Sequence, residues 1–232
     1  MAAPARIDAD YADLPYPSIH ERTYEVRAFR KDSETVLLRG VVLDLSPPEH
    51  TFGVPGGPVE FHHMVVDVEV AMATAAISSV RVVFESHPHD GCQRIAAAYQ
   101  ALVGVSIARG FTHKVRELFG GPRGCTHVLA LLQAMAPVVM QARWPMLSAA
   151  QAEADASEAA GDAVVAAPKR MSVEDRRRMS LVNRDTCHMW ASDGDLIATI
   201  EAGGEVPMPG PVLTRLREHG IDPDVWRLEH GR

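Results

Sequence analysis

The sequence predicts an α+β fold, in which an antiparallel sheet of four to five strands packs on a central hydrophobic helix with two shorter helices beside it. Two patterns in the order of apolar and polar residues lead to this prediction. Apolar and polar side chains alternate in several segments before residue 86, whereas apolar side chains recur at three- and four-residue steps after residue 90. A chain of 232 residues, 47% hydrophobic and 23% charged, is long enough to bury a core without disulfides.

Four segments are predicted as strands of one antiparallel meander. These segments are 23–29, 35–45, 61–70 and 77–85. A polar run separates the first two and suits a hairpin connection. The alternation in the third segment places His62 on the apolar face and His63 on the polar face.

Helical spacing begins after residue 90. Segments 92–103 and 111–119 are predicted as the two shorter helices. The strongest helical segment, 126–147, carries apolar side chains nearly all round, which predicts the central buried helix. A glycine-rich run, Gly120-Gly121-Pro122-Arg123-Gly124, leads directly into it.

The rest of the chain is patterned less strongly. Alanine makes up half of residues 149–168, which predicts an exposed helix or a linker. Residues 182–201 predict a loop and then a strand, and a last short helix is expected over 212–219. The predicted parts are a main α+β domain (1–148), an alanine-rich linker or exposed insertion (149–170) and a C-terminal extension packing on the same core (171–232).

Composition and charge exclude several classes of function. A formal net charge of −7 lacks the basic surface on which general nucleic-acid binding depends. No segment reaches the roughly 20 apolar residues of a membrane span, and residues 1–13 lack the apolar core of a secretory signal. The odd number of cysteines, three, predicts reduced thiols and a cytoplasmic location. The expected partner is a small-molecule substrate, with no nucleic acid and no membrane, and the sequence leaves a homodimer open.

Each cysteine has a histidine nearby in the sequence. The three clusters are His87-Pro88-His89-Asp90-Gly91-Cys92, Gly124-Cys125-Thr126-His127 and Thr186-Cys187-His188. Thiolate and imidazole ligands suit zinc or copper, so the clusters together predict one metal site. The favoured ligands are Cys92, Cys125, His127 and Cys187, with His62 or His188 as proton carrier or further ligand. Because cysteine is often simply buried, packing without a metal is the competing interpretation.

Cys125 also supports a metal-free alternative. Backbone N–H groups at the start of the predicted helix would stabilise a thiolate and a developing oxyanion there. Cys125 would attack a carbonyl group while His127 handles the proton. The two residues are only two positions apart, so their side chains meet only if the helix begins between them. Arg109, Arg123 and Trp190 are the candidate substrate contacts.

Three strings in the sequence carry a resemblance to a known family. They are Gly121-Pro122-Arg123-Gly124-Cys125-Thr126-His127-Val128, Phe61-His62-His63-Met64 and Thr186-Cys187-His188-Met189-Trp190. On these residues the chain resembles the bacterial domain-of-unknown-function family 2889, from about residue 24 to about residue 197. His62 matches the family pattern, His63 stands where an aspartate is common, and residues 149–168 look like an insertion. The resemblance implies no activity, but it singles out the residues that the chemistry selects: His62, Cys92, Cys125, His127, Cys187 and His188.

The sequence therefore leaves three functions open. The first is a small-molecule enzyme that uses a Cys/His-ligated zinc or copper ion on an organic acid or aromatic substrate. The second is a metal-free enzyme with Cys125 as the nucleophile in acyl or thioester chemistry. The third is a non-catalytic protein for small-molecule binding or assembly, whose cysteines only pack.

Overall fold

A four-stranded antiparallel sheet begins the chain in this computed structural model, which describes residues 14–47, 55–160 and 172–230. The strands are β1 (Glu21–Arg30), β2 (Thr35–Ser46), β3 (Val59–Ala71) and β4 (Ala76–Ser86). Each strand pairs with the next one along the chain, so the sheet is a simple meander. Together with the helices that follow, this sheet confirms the predicted α+β class.

One face of the sheet is buried. On β2 this face carries alternate residues, as the two-residue period of a strand requires: Val36, Leu38, Gly40, Val42, Asp44 and Ser46. Met64, Val66, Val68 and Val70 occupy the matching positions on β3. Asp44 is the exception in this apolar series, because it is a carboxylate that is only 1% exposed.

Helical segments cover that buried face. A 3-10 helix (Cys92–Leu102) comes first, followed by α1 (Phe111–Phe119) and α2 (Thr126–Ala160). The first of these lies where a short helix is predicted, and it buries Tyr99 and Leu102 on one face. α2 contributes a buried stripe to the core: Val128, Leu131, Leu132, Met135, Val139, Ala142 and Met146.

The chain divides into two compact units, Met1–Ala149 and Ala150–Arg232. The second unit contains α3 (Val173–Ser180), α4 (Asp195–Glu201), α5 (Gly210–Glu218) and α6 (Pro223–His230). The predicted strand within 182–201 is wrong, because the apolar residues there form α4 and bury Ile197 and Ile200 on one helical face. The sheet therefore has four strands within the described residues. Packing of residues 171–232 on the main core stays a prediction.

The alanine-rich segment is helical as far as the structure describes it, because α2 continues to Ala160. Residues 161–170 of the predicted linker lie outside the described residues. None of the helices in the described ranges combines the length and the apolar composition needed to cross a membrane.

Gly40 allows α2 to approach the sheet closely. A Cβ atom at this position would lie 2.6 Å from Met135 Sδ and 3.0 Å from Leu131 Cδ1. We expect Gly40→Leu to lower the free energy of unfolding by about 1–3 kcal/mol, because an overpacked core must rearrange. Urea denaturation measures this change.

The matched control is Gly57→Leu, since a Cβ atom at Gly57 meets no heavy atom within 4 Å. We expect its effect to stay within about 0.5 kcal/mol. Equal effects of the two substitutions would contradict the close approach of α2 to Gly40.

Candidate functional site

The candidate site starts from three residues that lie side by side on neighbouring strands. Arg22 on β1 is directly opposite Asp44 on β2, and Asp44 is directly opposite His62 on β3. All three occupy the buried face at the same end of the sheet. The pairing register of the meander therefore brings a guanidinium, a carboxylate and an imidazole together.

Arg22 holds the Asp44 carboxylate through both oxygens. Its Nε donates to Oδ1 at 2.5 Å and its Nη2 donates to Oδ2 at 2.6 Å. Burial alone would raise the pKa of Asp44, but the hydrogen bond and charge of Arg22, with the charges of His127 and His62, lower it below its usual value. Asp44 is therefore an anion at neutral pH.

Two imidazoles share the same carboxylate oxygen. His62 Nδ1 lies 3.0 Å from Asp44 Oδ2, and His127 Nε2 lies 3.2 Å from it. The two rings are stacked, with centroids 3.8 Å apart and planes inclined by 25°. His20 is further away, with its Nε2 atom 3.9 Å from Asp44 Oδ2.

Cys125 reaches His127 because α2 begins between them. Thr126 is the first residue of α2, and the carbonyl group of Cys125 accepts the Leu129 N–H at 2.9 Å. Cys125 Sγ lies 3.7 Å from His127 Nδ1. The condition set by the two-residue spacing is thus met.

Gly124 makes this helix start sterically feasible. A Cβ atom at Gly124 would lie 2.5 Å from the carbonyl oxygen of Phe119 and 2.7 Å from the Phe119 Cβ. The glycine before Cys125 is therefore needed for the close approach of the backbone to Phe119.

The contacts of His127 determine which of its nitrogens carries the proton. Asp44 accepts only, so His127 donates its Nε2–H to it, which leaves the Nδ1 lone pair facing the Cys125 thiol. Burial lowers the pKa of His127, and the charges of His62 and Arg22 lower it further against the opposing effect of Asp44. His127 is thus a neutral imidazole in the orientation that a general base requires.

Tyr99 fixes the backbone of Cys125 from inside the core. Its fully buried hydroxyl oxygen accepts the Cys125 N–H at 2.9 Å, and its ring packs on Phe119 with centroids 4.5 Å apart. Burial raises the pKa of Tyr99 to about 12, so the phenol stays protonated.

The same residues also have the composition of a metal site. One group within the described parts of the chain, Asp44, His62 and His127, presents ligand atoms that all lie within 4.8 Å of one another. Of the four predicted metal ligands, only His127 belongs to this group. Cys125 faces the other nitrogen of the His127 ring.

The remaining predicted site residues lie elsewhere. Cys92 starts the 3-10 helix and packs against the core. Cys187 is exposed in the second unit, where it precedes a short 3-10 turn that contains His188 and Trp190. A single metal site for Cys92, Cys125, His127 and Cys187 stays a prediction.

The predicted substrate contacts are surface arginines and one tryptophan. Arg109 is exposed in the turn before α1, and Arg123 is exposed with its Nη2 3.5 Å from the Arg116 carbonyl oxygen. Trp190 is half-buried in the second unit. Substrate binding by these three residues stays a prediction.

Sequence reasoning missed Arg22, Asp44 and Tyr99. A signal for Asp44 was present, because it continues the apolar alternation of β2 on the core face, where an unpaired acidic residue is costly. Arg22 lay one residue outside the predicted first strand. Tyr99 lies within the predicted helix 92–103, whose spacing gave no sign that its hydroxyl group meets Cys125.

Asp44 should make stability depend on acid pH. Because its pKa is lower in the folded chain than in the unfolded one, its ionised form stabilises the fold above the ordinary carboxyl value of about 3.9. This contribution is lost as the pH falls from that value through the folded-state value. We expect Asp44→Asn to lower the free energy of unfolding by about 1–3 kcal/mol at pH 7.

The measurement is urea unfolding of both proteins between pH 3 and pH 7. The difference between wild type and Asp44→Asn should shrink at the acid end of this range. A difference that stays constant with pH would contradict the ionised, paired state of Asp44.

Comparison with known proteins places the cluster within a family. The model of the family described as "Protein of unknown function (DUF2889)" matches residues 20–141, which contain Arg22, Asp44, His62, Tyr99, Cys125 and His127. The string around Cys187 lies beyond the matched residues. No curated protein and no solved structure matches the chain. With just over half of its length matched, this chain belongs to the DUF2889 family.

Proposed function

We propose that this protein is a thiol-dependent enzyme that transfers or hydrolyses the acyl group of a small ester or thioester. The supporting observation is a continuous chain of contacts through one imidazole. Cys125 Sγ lies 3.7 Å from His127 Nδ1, and His127 Nε2 lies 3.2 Å from Asp44 Oδ2. Nucleophile, base and orienting carboxylate in this order are the arrangement by which enzymes activate a thiol.

Each residue has a definite role in the reaction. His127 Nδ1 takes the proton of the Cys125 thiol as Sγ forms a bond to the acyl carbon. The protonated imidazole then donates that proton to the leaving group as its bond to the acyl carbon breaks. Water or another acceptor releases the acyl group from sulfur in the second half of the reaction, with His127 again acting as base.

Asp44 stabilises the imidazolium that forms between these proton transfers. Its charge acts from Oδ2 at 3.2 Å, while Arg22 holds the carboxylate in place through both oxygens. The orientation of the base therefore depends on the sheet, to which Arg22 and Asp44 belong.

The start of α2 supplies donors for the oxyanion. The first amides of a helix have no intrahelical acceptor, and in α2 these amides precede Leu129. They follow Cys125 directly in the chain and can donate to a carbonyl oxygen that gains charge. The Cys125 N–H itself donates to Tyr99, so it has a structural role.

Cys125→Ser tests the nucleophile. With p-nitrophenyl acetate as the probe, we expect the acyl-transfer rate to fall at least ~100-fold, because a serine hydroxyl is a much weaker nucleophile than a thiol. In the wild type, peptide mapping by mass spectrometry should locate a transient acetyl group on Cys125.

Cys187→Ser is the matched control, since it removes an exposed thiol of the second unit. We expect it to retain the full rate. Acetylation spread equally over the cysteines, or turnover unaffected by Cys125→Ser, would refute the proposed function.

His127→Gln tests the base separately. Glutamine keeps a polar side chain beside Asp44 but cannot accept and return the thiol proton, so we expect a loss of about 10²–10⁴-fold in the acylation rate. His113→Gln, at an exposed position on α1, is the control and should react at the wild-type rate. A similar small loss in both variants would show that His127 is not the base.

A further inference from the structure

We propose that Asp44, His62 and His127 form a binding site for one zinc ion, and that occupation of this site switches off the thiol chemistry of Cys125. The binding part of this inference stands on the geometry of the three ligands. The inhibitory part rests on the proposed function.

The donor set and its spacing fit zinc. Asp44 Oδ2 lies 3.0 Å from His62 Nδ1 and 3.2 Å from His127 Nε2. Ligand atoms of a tetrahedral zinc ion with bonds of about 2.0–2.1 Å are about 3.3 Å apart. One ion can therefore replace both hydrogen bonds once the two rings turn their nitrogen lone pairs towards it.

Two imidazoles and one carboxylate leave the fourth zinc position open, as in catalytic and inhibitory zinc sites. One nitrogen of each ring, His62 Nδ1 and His127 Nε2, already faces the same oxygen, Asp44 Oδ2. Arg22 donates to both oxygens of Asp44, Oδ2 included, so the carboxylate is held in one orientation beside the two imidazoles.

Arg22 also limits the affinity for the ion. Its guanidinium contacts both oxygens of Asp44, and a divalent ion at Oδ2 would lie within a few ångströms of this positive charge. The site should therefore bind zinc reversibly and should exclude Mg²⁺, which prefers oxygen ligands. Reversible occupation is what a regulatory site requires.

Zinc binding and proton acceptance from the Cys125 thiol both need the imidazole of His127. When zinc takes the Nε2 lone pair of His127, the ring proton moves to Nδ1, the atom that faces Cys125 Sγ. An Nδ1 atom that carries a proton cannot accept one from the thiol. His62 likewise shifts its proton from Nδ1 to Nε2, so neither imidazole releases a proton.

Isothermal titration of the untagged protein with zinc chloride tests the site. We expect one zinc ion per chain and no saturable binding of magnesium chloride. His62→Asn should weaken zinc binding at least ~10-fold, because it removes one of three ligands. His63→Asn, whose imidazole instead lies 3.3 Å from Glu60, should bind as the wild type does.

Cobalt(II) titration of the wild type gives a second readout that needs no substituted protein. A tetrahedral spectrum without a thiolate-to-metal charge-transfer band supports a site of two imidazoles and one carboxylate. A strong charge-transfer band, or loss of zinc binding in Cys125→Ser, would overturn it in favour of cysteine ligands. Absence of saturable zinc binding would also overturn it.

Turnover of p-nitrophenyl acetate tests the switch. Zinc should inhibit the wild type with a midpoint equal to the dissociation constant from titration, and His62→Asn should require at least ~10-fold more zinc. Zinc binding without inhibition would overturn the switch and leave the site intact. Turnover that is insensitive to Cys125→Ser would instead refute the proposed function without touching the zinc site.

Discussion

The buried carboxylate of Asp44 is the constraint on which the rest of the site depends. An ionised carboxylate out of contact with water costs several kcal/mol unless it is paired and hydrogen-bonded. Asp44 is 1% exposed, and its two oxygens are met by Arg22, His62 and His127. These partners come from β1, β3 and α2, so one charge connects three elements that are far apart in the sequence. The contacts that pair this carboxylate are therefore also contacts that join the sheet to α2.

The solution has a direct chemical result. A carboxylate that can only accept hydrogen bonds dictates the tautomer of His127, and the position of α2 then directs the free nitrogen of the ring at Cys125. Tyr99 and Gly124 hold the helix start in place, one by accepting the Cys125 N–H and the other by having no side chain to clash with Phe119. An orienting carboxylate, a neutral imidazole and a thiol thus follow from ordinary packing and hydrogen-bonding requirements.

A single imidazole in such a position can serve one purpose at a time. In the proposed mechanism its Nε2 atom donates to Asp44, and in the proposed zinc-bound form it binds the ion, so only the first state leaves Nδ1 free to accept a proton. Placing His62 against the same oxygen adds the second nitrogen ligand that a cation needs. The proposed base and the proposed zinc site therefore use the same imidazole.

The fold was predictable to a large extent, because alternation and helical spacing are properties of consecutive residues. The four strands, α1 and the start of α2 at Thr126 follow from the sequence to within a few residues. The strand predicted within 182–201 was wrong because a short apolar run has no clear period. Burial of Ile197 and Ile200 on one face favours a helix there.

The site was predictable only in part. Local sequence singled out His62, Cys125 and His127, since these residue types carry chemistry and two of them flank a helix start. The roles of Asp44, Arg22 and Tyr99 were decided in three dimensions, because they depend on strand register and on contacts between residues 18 or more positions apart. The sequence by itself thus determined the elements and the reactive side chains of this protein. The tertiary structure decided which of those side chains share a carboxylate, because the burial of one charge can be satisfied only by partners brought together through folding.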